Sequence, residues 1–262
     1  MATEPTREEE WYKRLTEGEP ISRRLYHLYG LLPSDPRCKL CAAPFKGPGG
    51  FLMHLFGRDQ SRYNPRFCEK CEVFEHLGGA EVPLTMLFAD VRGSTKLAEQ
   101  MSAREFSRMI NRFYAVASHV LIQTDAMVDR LMGDQAIGLY LPGFSGPEHP
   151  RRAIEAAHDL LRLTGHRDDK GPWLRVGVGV HTGTAFVGVV GDENSTADFT
   201  TLGDNVNITA RLASGAGPGE VLISNAAYSA ARLKLGDLER RQMELKGKSE
   251  PIEVHVLRVA PD

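Results

Sequence analysis

The sequence lacks several features that mark particular classes of protein. With 32 basic and 34 acidic side chains among 262 residues, the net charge is only −2, which argues against general affinity for nucleic acid. No stretch of about 18 residues is free of polar interruptions, and the acidic start at Met1–Glu10 does not resemble a secretory signal. Internal repeats and low-complexity tracts are also missing. The sequence therefore predicts a globular cytoplasmic protein with no membrane partner.

The composition changes twice along the chain, which predicts three parts. Positions 1–36 carry apolar residues at spacings near three, four and seven, as in a helix interrupted near Gly18–Pro20. Positions 37–81 are rich in Pro, Gly, Cys and basic residues and lack an apolar core. Positions 82–262 alternate apolar runs of strand length with helical patterns, so we expect the large domain there.

Within this large domain, the pattern predicts a buried strand at Met86–Val91 and a helix that carries Leu97 to Phe113 on one face. Two turn signals, Gly133–Asp134 and Thr182–Gly183, each predict a hairpin. The strands predicted to flank these turns are Leu121–Val128 with Gln135–Leu141, and Leu174–His181 with Thr184–Val190. The other predicted elements are helices at Arg151–Thr164 and Asn205–Ser214 and strands at Val221–Ile223 and Ile252–Leu257.

The four cysteines are too few for a disulfide scaffold, but they have the spacing of metal-binding knuckles. Cys38 and Cys41 form one Cys-x2-Cys pair, Cys68 and Cys71 form a second, and 26 residues separate the two pairs. Paired knuckles indicate tetrahedral thiolate coordination, most often of zinc in a cytoplasmic protein, with an iron–sulfur cluster as the alternative. We expect a metal-stabilised module that positions or regulates the domain after it.

The same segment supports a rival interpretation. Between Cys38 and Cys71 there are six Lys or Arg residues against two Asp or Glu residues. A basic module of this kind could bind nucleic acid or protein, and the large domain would then report on that binding.

Two segments place an acidic residue where it could bind a metal ion. Asp90 ends the predicted strand and precedes a Gly-Ser-Thr turn, whose backbone N–H groups suit a phosphate. Capping of the next helix by Asp90 and Ser94 would explain the same residues without a function. Asp134 lies in the predicted hairpin turn. If the two strands are neighbours in one sheet, both carboxylates could share metal ions.

A third segment, Phe199–Arg211, places Asn207 and Arg211 four residues apart and therefore on one face of the predicted helix. Such a pair could bind ribose and a phosphate group. A solvated helix face shows the same pattern, so this segment by itself leaves both interpretations open.

Taken in order, the three segments resemble the catalytic domain of the class III adenylate/guanylate cyclases. The resemblance spans roughly Val82–Leu257 and includes the segments His181–Gly183, Val187–Gly191 and Leu245–Lys248. It implies an α+β, ferredoxin-like domain with a mainly antiparallel sheet, preceded here by the helical segment and the four-cysteine module. It also implies a head-to-tail homodimer with two shared active sites, because this chain carries residues that the family draws from different subunits.

The resemblance assigns a role to each matching residue. Asp90 and Asp134, with the Val91 carbonyl, would hold two Mg²⁺ or Mn²⁺ ions in each active site. Asn207 would orient the ribose, and Arg211 would stabilise the negative charge that develops at the α-phosphate. The groups implied for the other phosphates are the backbone N–H groups of Gly93, Ser94 and Thr95 and the side chain of Lys246 or Lys248. His181 is interpreted as structural, because the metal ions would already supply the activation.

Base recognition departs from the family pattern. Arg130 stands four residues before Asp134, where adenylate cyclases usually have Lys, and Thr200 stands seven residues before Asn207. Arg130 can donate to adenine N1 and the Thr200 hydroxyl can accept from its amino group, so we expect ATP as substrate and cAMP as product. UTP is the next candidate, since uracil offers two carbonyl acceptors, and GTP is disfavoured because a guanidinium cannot satisfy its N–H donors. A degenerate domain that binds nucleotide without turnover is the remaining alternative.

Overall fold

The computed structural model describes residues 6–18, 28–29, 32, 36–38, 41–61, 65, 67–72, 78–191, 197–233, 235–244 and 251–259. The helices in these ranges are α1 (Arg7–Glu17), α2 (Gly47–Leu55), α3 (Glu69–Glu72), α4 (Ser94–Gln100), α5 (Ala103–Gln123), α6 (Pro142–Ser145), α7 (His149–Leu163), α8 (Asp204–Gly215) and α9 (Asn225–Ala231). The strands are β1 (Gly78–Val91), β2 (Met127–Met132), β3 (Gln135–Tyr140), β4 (Val176–Gly191), β5 (Ala197–Leu202), β6 (Glu220–Ser224), β7 (Glu239–Met243) and β8 (Ile252–Arg258).

The strands form one mixed sheet in the order β2-β3-β1-β4-β6-β8-β7, and β5 pairs with β4 beside this path. Every pairing is antiparallel except β4 with β6, which run parallel. The long centre is the β1–β4 pair, in register from Gly78 opposite Val189 to Val91 opposite Val176. The expectation of an α+β fold with a mainly antiparallel sheet is confirmed.

Alternate residues of the central strands face two different helical layers, as strand geometry requires. Leu87, Ala89 and Val91 of β1 pack with side chains of α5, α7 and α9 in one buried cluster. Val82 and Leu84 of β1 belong to a second cluster that includes side chains of α1, α8 and the four-cysteine module. Each face of the sheet is therefore covered, and the cysteine module covers part of the second one.

The hairpin predicted at Thr182–Gly183 is wrong, because both predicted strands belong to the single strand β4. A Cβ atom at Gly183 would lie 2.5 Å from the side chain of Asn205 in α8. Gly183 therefore allows a helix to approach the strand and does not mark a turn. The hairpin predicted at Gly133–Asp134 is confirmed, with Gly133 in a left-handed conformation at φ +63°.

The single helix predicted across Leu97 and Phe113 is two helices, α4 and α5. Ser102 begins α5 with a capping box, in which its hydroxyl accepts from the backbone N–H of Glu105 at 3.3 Å. This Ser-x-x-Glu signal is present in the sequence and explains the break. Leu121 lies in α5 and not in the strand predicted for it, while β5, β7 and α9 are elements that the sequence pattern missed.

The amino-terminal prediction is confirmed for α1, which begins after the capping residue Thr6 and ends before Gly18. Its buried side chains Trp11 and Leu15 pack in the second cluster, so α1 covers part of the sheet. Most of the predicted continuation toward Leu32 lies outside the described residues. In the ranges given above, none of the helices has the length and apolar character needed to cross a bilayer.

Candidate active site and metal centre

The end of β1 and the β2–β3 turn bring the two predicted metal-binding acids to the same end of the sheet. Asp90 lies opposite Gln135, and the backbone N–H of Val91 donates to the carbonyl of Asp134 at 3.0 Å. The Asp90 side chain is only 12% exposed and forms an ion pair with Arg92. Its other oxygen accepts from Gln135 Nε2 at 2.9 Å. Two carboxylates held at one end of the sheet offer the hard oxygen ligands that divalent cations prefer.

The turn that carries Asp134 is fixed from two sides. The Ser94 hydroxyl donates to the Asp134 carboxylate, and the Tyr114 hydroxyl donates to the carbonyl of Gly133 at 2.9 Å. Burial, and then the charge of Asp134, raise the pKa of Tyr114. Since the Ser94 hydroxyl contacts Asp134 and no side chain caps α4, the interpretation of Asp90 and Ser94 as helix caps is wrong. The local sequence pattern gives no sign of the supporting roles of Gln135, Arg92 and Tyr114.

A cavity of about 340 Å³ lies beside the predicted phosphate-binding turn at Gly93. Gly93, in a left-handed conformation at φ +72°, lines it together with Arg92, Lys96 and Arg175. Three cationic side chains therefore surround the predicted phosphate-binding turn on one side. Thr95 is exposed one residue into α4.

Helix α8 lies in a groove of small residues on β4. A Cβ atom at Gly177, Gly179 or Gly183 would approach atoms of α8 or of Ala216, the residue after it, to within 2.4–2.6 Å. These glycines alternate with larger residues, so they share one face of the strand. The close approach fixes the position of α8, which carries Asn207 and Arg211.

His181 occupies the same row as these glycines and joins the start of α8 to the sheet. One ring nitrogen lies 2.8 Å from Asn205 Oδ1 and the other lies 2.8 Å from the Ser224 hydroxyl. Asn205 also donates to the carbonyl of Thr184 at 2.7 Å. The buried position of His181 between two partners supports the interpretation that it is structural.

Asn207 and Arg211 lie on α8 and not at the strand end that carries the acids. Asn207 is exposed and Arg211 is half-buried. The contact between the acid site and α8 lies at the other end of the helix, where Arg92 donates to the Ser214 carbonyl at 2.7 Å. Seven residues of α-helix span about 10 Å, so Asn207 lies well away from that contact. Among the described residues, no hydrogen bond or ion pair joins Asn207 or Arg211 to either acid.

The four cysteines form one buried cluster, as their spacing predicts. All four Sγ atoms lie within 4.8 Å of one another, and no disulfide joins them. The first knuckle is closed by hydrogen bonds between Cys38 and the two residues after Cys41, with Ala42 in a left-handed conformation. The second is closed by the Cys71 N–H, which donates to the Cys68 carbonyl at 2.9 Å. Four converging thiols can hold a tetrahedral metal ion.

The thiols influence one another strongly. Hydrogen bonds with the other three thiols hold the pKa of Cys41 well below its usual range, and a hydrogen bond with Cys38 is the main cause that lowers the pKa of Cys68 to about 7. The pKa of Cys71 is raised because its proton is shared with Cys38 and other neighbouring thiols. The cluster therefore favours partial ionisation, and thiolate is the form that binds metals.

Comparison with known proteins identifies the large domain. Residues 80–258 match the family model described as the adenylate and guanylate cyclase catalytic domain. The chain belongs to this family. The match begins within β1 and ends at the last residue of β8, so it includes every strand of the sheet.

The curated relatives that match this chain include an adenylate cyclase and uncharacterised proteins. An adenylate cyclase of Anabaena cylindrica is 28% identical over 134 residues, which cover 49% of this chain and 26% of the relative. An uncharacterised Mycobacterium tuberculosis protein is 28% identical over 210 residues, covering 77% of this chain, and the match spans only 37% of that relative.

Two solved cyclases share the fold. The guanylyl cyclase Cya2 has a TM-score of 0.63 and 26% identity, with 70% of this chain and 96% of that chain covered. The adenylyl cyclase CyaB from P. aeruginosa has a TM-score of 0.61 and 25% identity, with 69% and 96% covered. The expected cyclase fold is therefore confirmed.

For the remaining predicted site residues of the cyclase domain, the structure describes the position of two, and the two lysines are not described. Thr200 is half-buried in β5, opposite Gly188 of β4. The backbone of Arg130 pairs with Ile137 next to an irregularity in the β2–β3 register. Lys246 and Lys248 lie outside the described residues, so the choice between them stays a prediction.

Proposed function

We propose that this protein is a nucleotide cyclase that converts ATP to 3′,5′-cyclic AMP and pyrophosphate for intracellular signalling. The observation that supports the proposal is where the two acids and the Asn-Arg pair lie in the fold. The two acids converge at one end of the sheet, while Asn207 and Arg211 lie on α8, and no hydrogen bond or ion pair among the described residues joins them to the acids. In a head-to-tail homodimer, the two acids of each chain would meet Asn207 and Arg211 of the other chain, and two equivalent sites would form.

In this proposal Asp90, Asp134 and the Val91 carbonyl hold two Mg²⁺ or Mn²⁺ ions. When bound, these ions lower the pKa of the ribose 3′-hydroxyl and neutralise charge on the triphosphate. The 3′-hydroxyl loses its proton to water, its oxygen attacks the α-phosphorus, and the bond from the α-phosphorus to the bridging oxygen breaks to release pyrophosphate. Arg211 donates to the α-phosphate oxygens as charge develops there, and Asn207 orients the ribose. Gly93, Ser94 and Thr95 bind the leaving phosphates through backbone N–H groups, and Lys246 or Lys248 reaches them as well.

The base is read by Arg130 and Thr200 in this proposal. Arg130 donates to adenine N1, and the Thr200 hydroxyl accepts from the amino group. UTP is the second candidate because Arg130 can also serve the carbonyl groups of uracil. The likeness to a guanylyl cyclase keeps GTP among the substrates to be tested.

For the four-cysteine cluster we propose a single structural Zn²⁺ ion. The Sγ atoms of Cys41 and Cys68 lie 3.7 Å apart. A tetrahedral ion with metal–sulfur distances of about 2.3 Å places its ligands about 3.8 Å apart. A cluster of several irons bridged by sulfides would hold the thiolates farther from one another, so the spacing supports one ion over the iron–sulfur alternative. The shared buried cluster with β1 supports a role of this module in positioning the catalytic domain or its dimer.

The test is incubation of the purified protein with ATP, GTP, UTP and CTP, in Mg²⁺ and in Mn²⁺, followed by chromatographic identification of the cyclic products. We expect cyclic AMP as the main product and its loss in Asp90→Ala. The matched control is Glu99→Ala, which removes an exposed carboxylate from the neighbouring helix α4. If none of the four nucleotides gives a cyclic product, the enzyme proposal fails, and nucleotide binding without turnover would then favour a degenerate domain.

A further inference from the structure

The turn after helix α2 places the side chain of Arg58 against the cysteine cluster. Helix α2 ends at Leu55, and Gly57 adopts a left-handed conformation at φ +63°. The Arg58 backbone N–H then donates to the Met53 carbonyl at 3.0 Å, which fixes the residue after the turn. The side chain is half-buried and places its guanidinium 5.3 Å from the centre of the Tyr29 ring.

The guanidinium contacts three of the four sulfur atoms. Its Nη1 lies 3.4 Å from Cys41 Sγ, 3.7 Å from Cys68 Sγ and 3.9 Å from Cys71 Sγ. The fourth sulfur, that of Cys38, accepts from the backbone N–H of Cys68 at 3.3 Å. Every sulfur of the cluster therefore has an N–H donor, and three of them share the same cation.

Two other charged residues of the module, Asp59 and Arg37, have partners away from the sulfurs. Asp59 is the acid next to Arg58 in the chain, and its Oδ1 lies 2.6 Å from Nδ1 of His54. Arg37 donates to the carbonyl groups of Tyr29, Leu32 and Ala42. In the described part of the module, Arg58 has no carboxylate partner and is the cation in contact with the sulfurs. The guanidinium thus faces the thiolates and not an acidic side chain.

The charge of a bound metal site explains why such a cation belongs there. Four thiolates and one divalent ion carry a net charge of −2, and all four cysteines are buried. Burying excess charge is costly unless it is compensated by an opposite charge or by hydrogen bonds. A guanidinium at hydrogen-bond distance from the sulfurs removes one of the two negative charges and withdraws electron density from the ligands.

We infer that Arg58 is a positioning residue of the four-cysteine centre. Its guanidinium offsets the negative charge of the thiolates, and it thereby helps to retain the metal ion and slows the reaction of the thiolates with alkylating reagents. This inference rests on the proposed zinc site. Loss of an outer-shell partner in metal sites typically lowers metal affinity about 10- to 100-fold. We expect Arg58→Gln to lower zinc affinity by that factor and to speed zinc release by a thiol-alkylating reagent.

The experiment measures the zinc content of the whole 262-residue chain, its zinc affinity against a chromogenic chelator, and the rate of zinc release during alkylation. Three variants are compared with the parent: Arg58→Gln, Arg58→Lys and the control Lys70→Gln. Lys70 is an exposed cation of the same module with no sulfur contact among the described residues. Its variant therefore removes one positive charge but no contact with the cysteine sulfurs. Urea unfolding of each zinc-loaded variant shows whether the protein is folded.

The expected order of zinc affinity is parent and Lys70→Gln, then Arg58→Lys, then Arg58→Gln, because lysine keeps the charge but not the planar fork. Parent-like affinity and release rate in Arg58→Gln would overturn the role of Arg58 while leaving the zinc site intact. Equal losses in Arg58→Lys and Arg58→Gln would overturn the charge argument. A parent protein that holds no zinc would overturn both the zinc site and this inference.

Discussion

Replacement of Gly179 by alanine should displace the helix that carries Asn207 and Arg211. An added Cβ would lie 2.4 Å from the backbone nitrogen of Ala213, and 2.8 Å from Leu212 Cβ and from the carbonyl oxygen of Thr209. Ordinary contacts between such atoms are about 3.5 Å long, so α8 must move by about 1 Å. Backbone atoms stand on both sides of the contact, and no side-chain rotation can relieve it.

The expected costs follow from this displacement. Overpacking of a well-packed core typically costs about 1–3 kcal/mol of the free energy of unfolding. A shift of about 1 Å in a catalytic group can lower the rate about 100-fold. Gly179→Ala should therefore lower both the urea midpoint and the rate of cyclic nucleotide formation, whereas Asn207→Ala, on an exposed position, should lower only the rate.

The assay pairs product formation in Mn²⁺ with urea unfolding on the same preparations. Gly217→Ala is the matched control, because the nearest atoms to its added Cβ belong to the Glu220 side chain, at 3.1 Å, and none of them is a backbone atom. We expect the control to stay near the parent in both measurements. A Gly179→Ala protein with parental stability and activity would refute the argument that the glycine groove fixes α8 for catalysis.

Three further predictions address the dimer, the metal and the pH dependence. Asp90→Ala and Arg211→Ala should each be inactive and should recover about a quarter of the parental activity when mixed in equal amounts, since half of the dimers would hold one intact site; no recovery in demonstrated mixed dimers contradicts the shared site. Chelation that removes the zinc should lower activity or dimerisation, and if both survive in metal-free protein the module is not needed for either. Burial lowers the pKa of His149 from 6.5 to about 4, so the folded state resists a protonation that the unfolded chain accepts below pH 6.5. Stability should be complete above pH 6.5 and fall by up to about 3 kcal/mol as the pH approaches 4, and urea midpoints at pH 8 and pH 5 that fall equally in the parent and in His149→Gln would contradict this origin.

Local signals predicted much of the site. The acids, the Asn-Arg pair and the paired cysteines stand at spacings that chemistry requires, and the structure places each acid at the end of a strand or in a turn, as the pattern indicates. The cysteine cluster is confirmed because a Cys-x2-Cys knuckle is itself a local structure. The order of the segments was sufficient to indicate the family.

Non-local contacts explain what the sequence pattern missed. Thr182–Gly183 has the composition of a turn, yet β4 continues through it because β1 pairs with it from Val176 to Val189. Gln135 and Tyr114 support the acid site from other elements, and their roles depend on sheet register and helix packing. Gln135 is far from Asp90 in the chain, and Tyr114 is far from Gly133, so a local sequence pattern does not indicate either contact.

By itself, the sequence determined which chemical groups are present and which of them are neighbours along the chain. It thereby determined the family and the ligand types, because thiolates, carboxylates and an arginine four residues after an asparagine each have their own chemistry. Only the tertiary structure decided that Arg58 meets three sulfurs, that glycines of β4 seat α8, and that Asn207 lies apart from Asp90. Those facts depend on the packing of segments distant in the chain, where a contact is set by the shape of both partners at once.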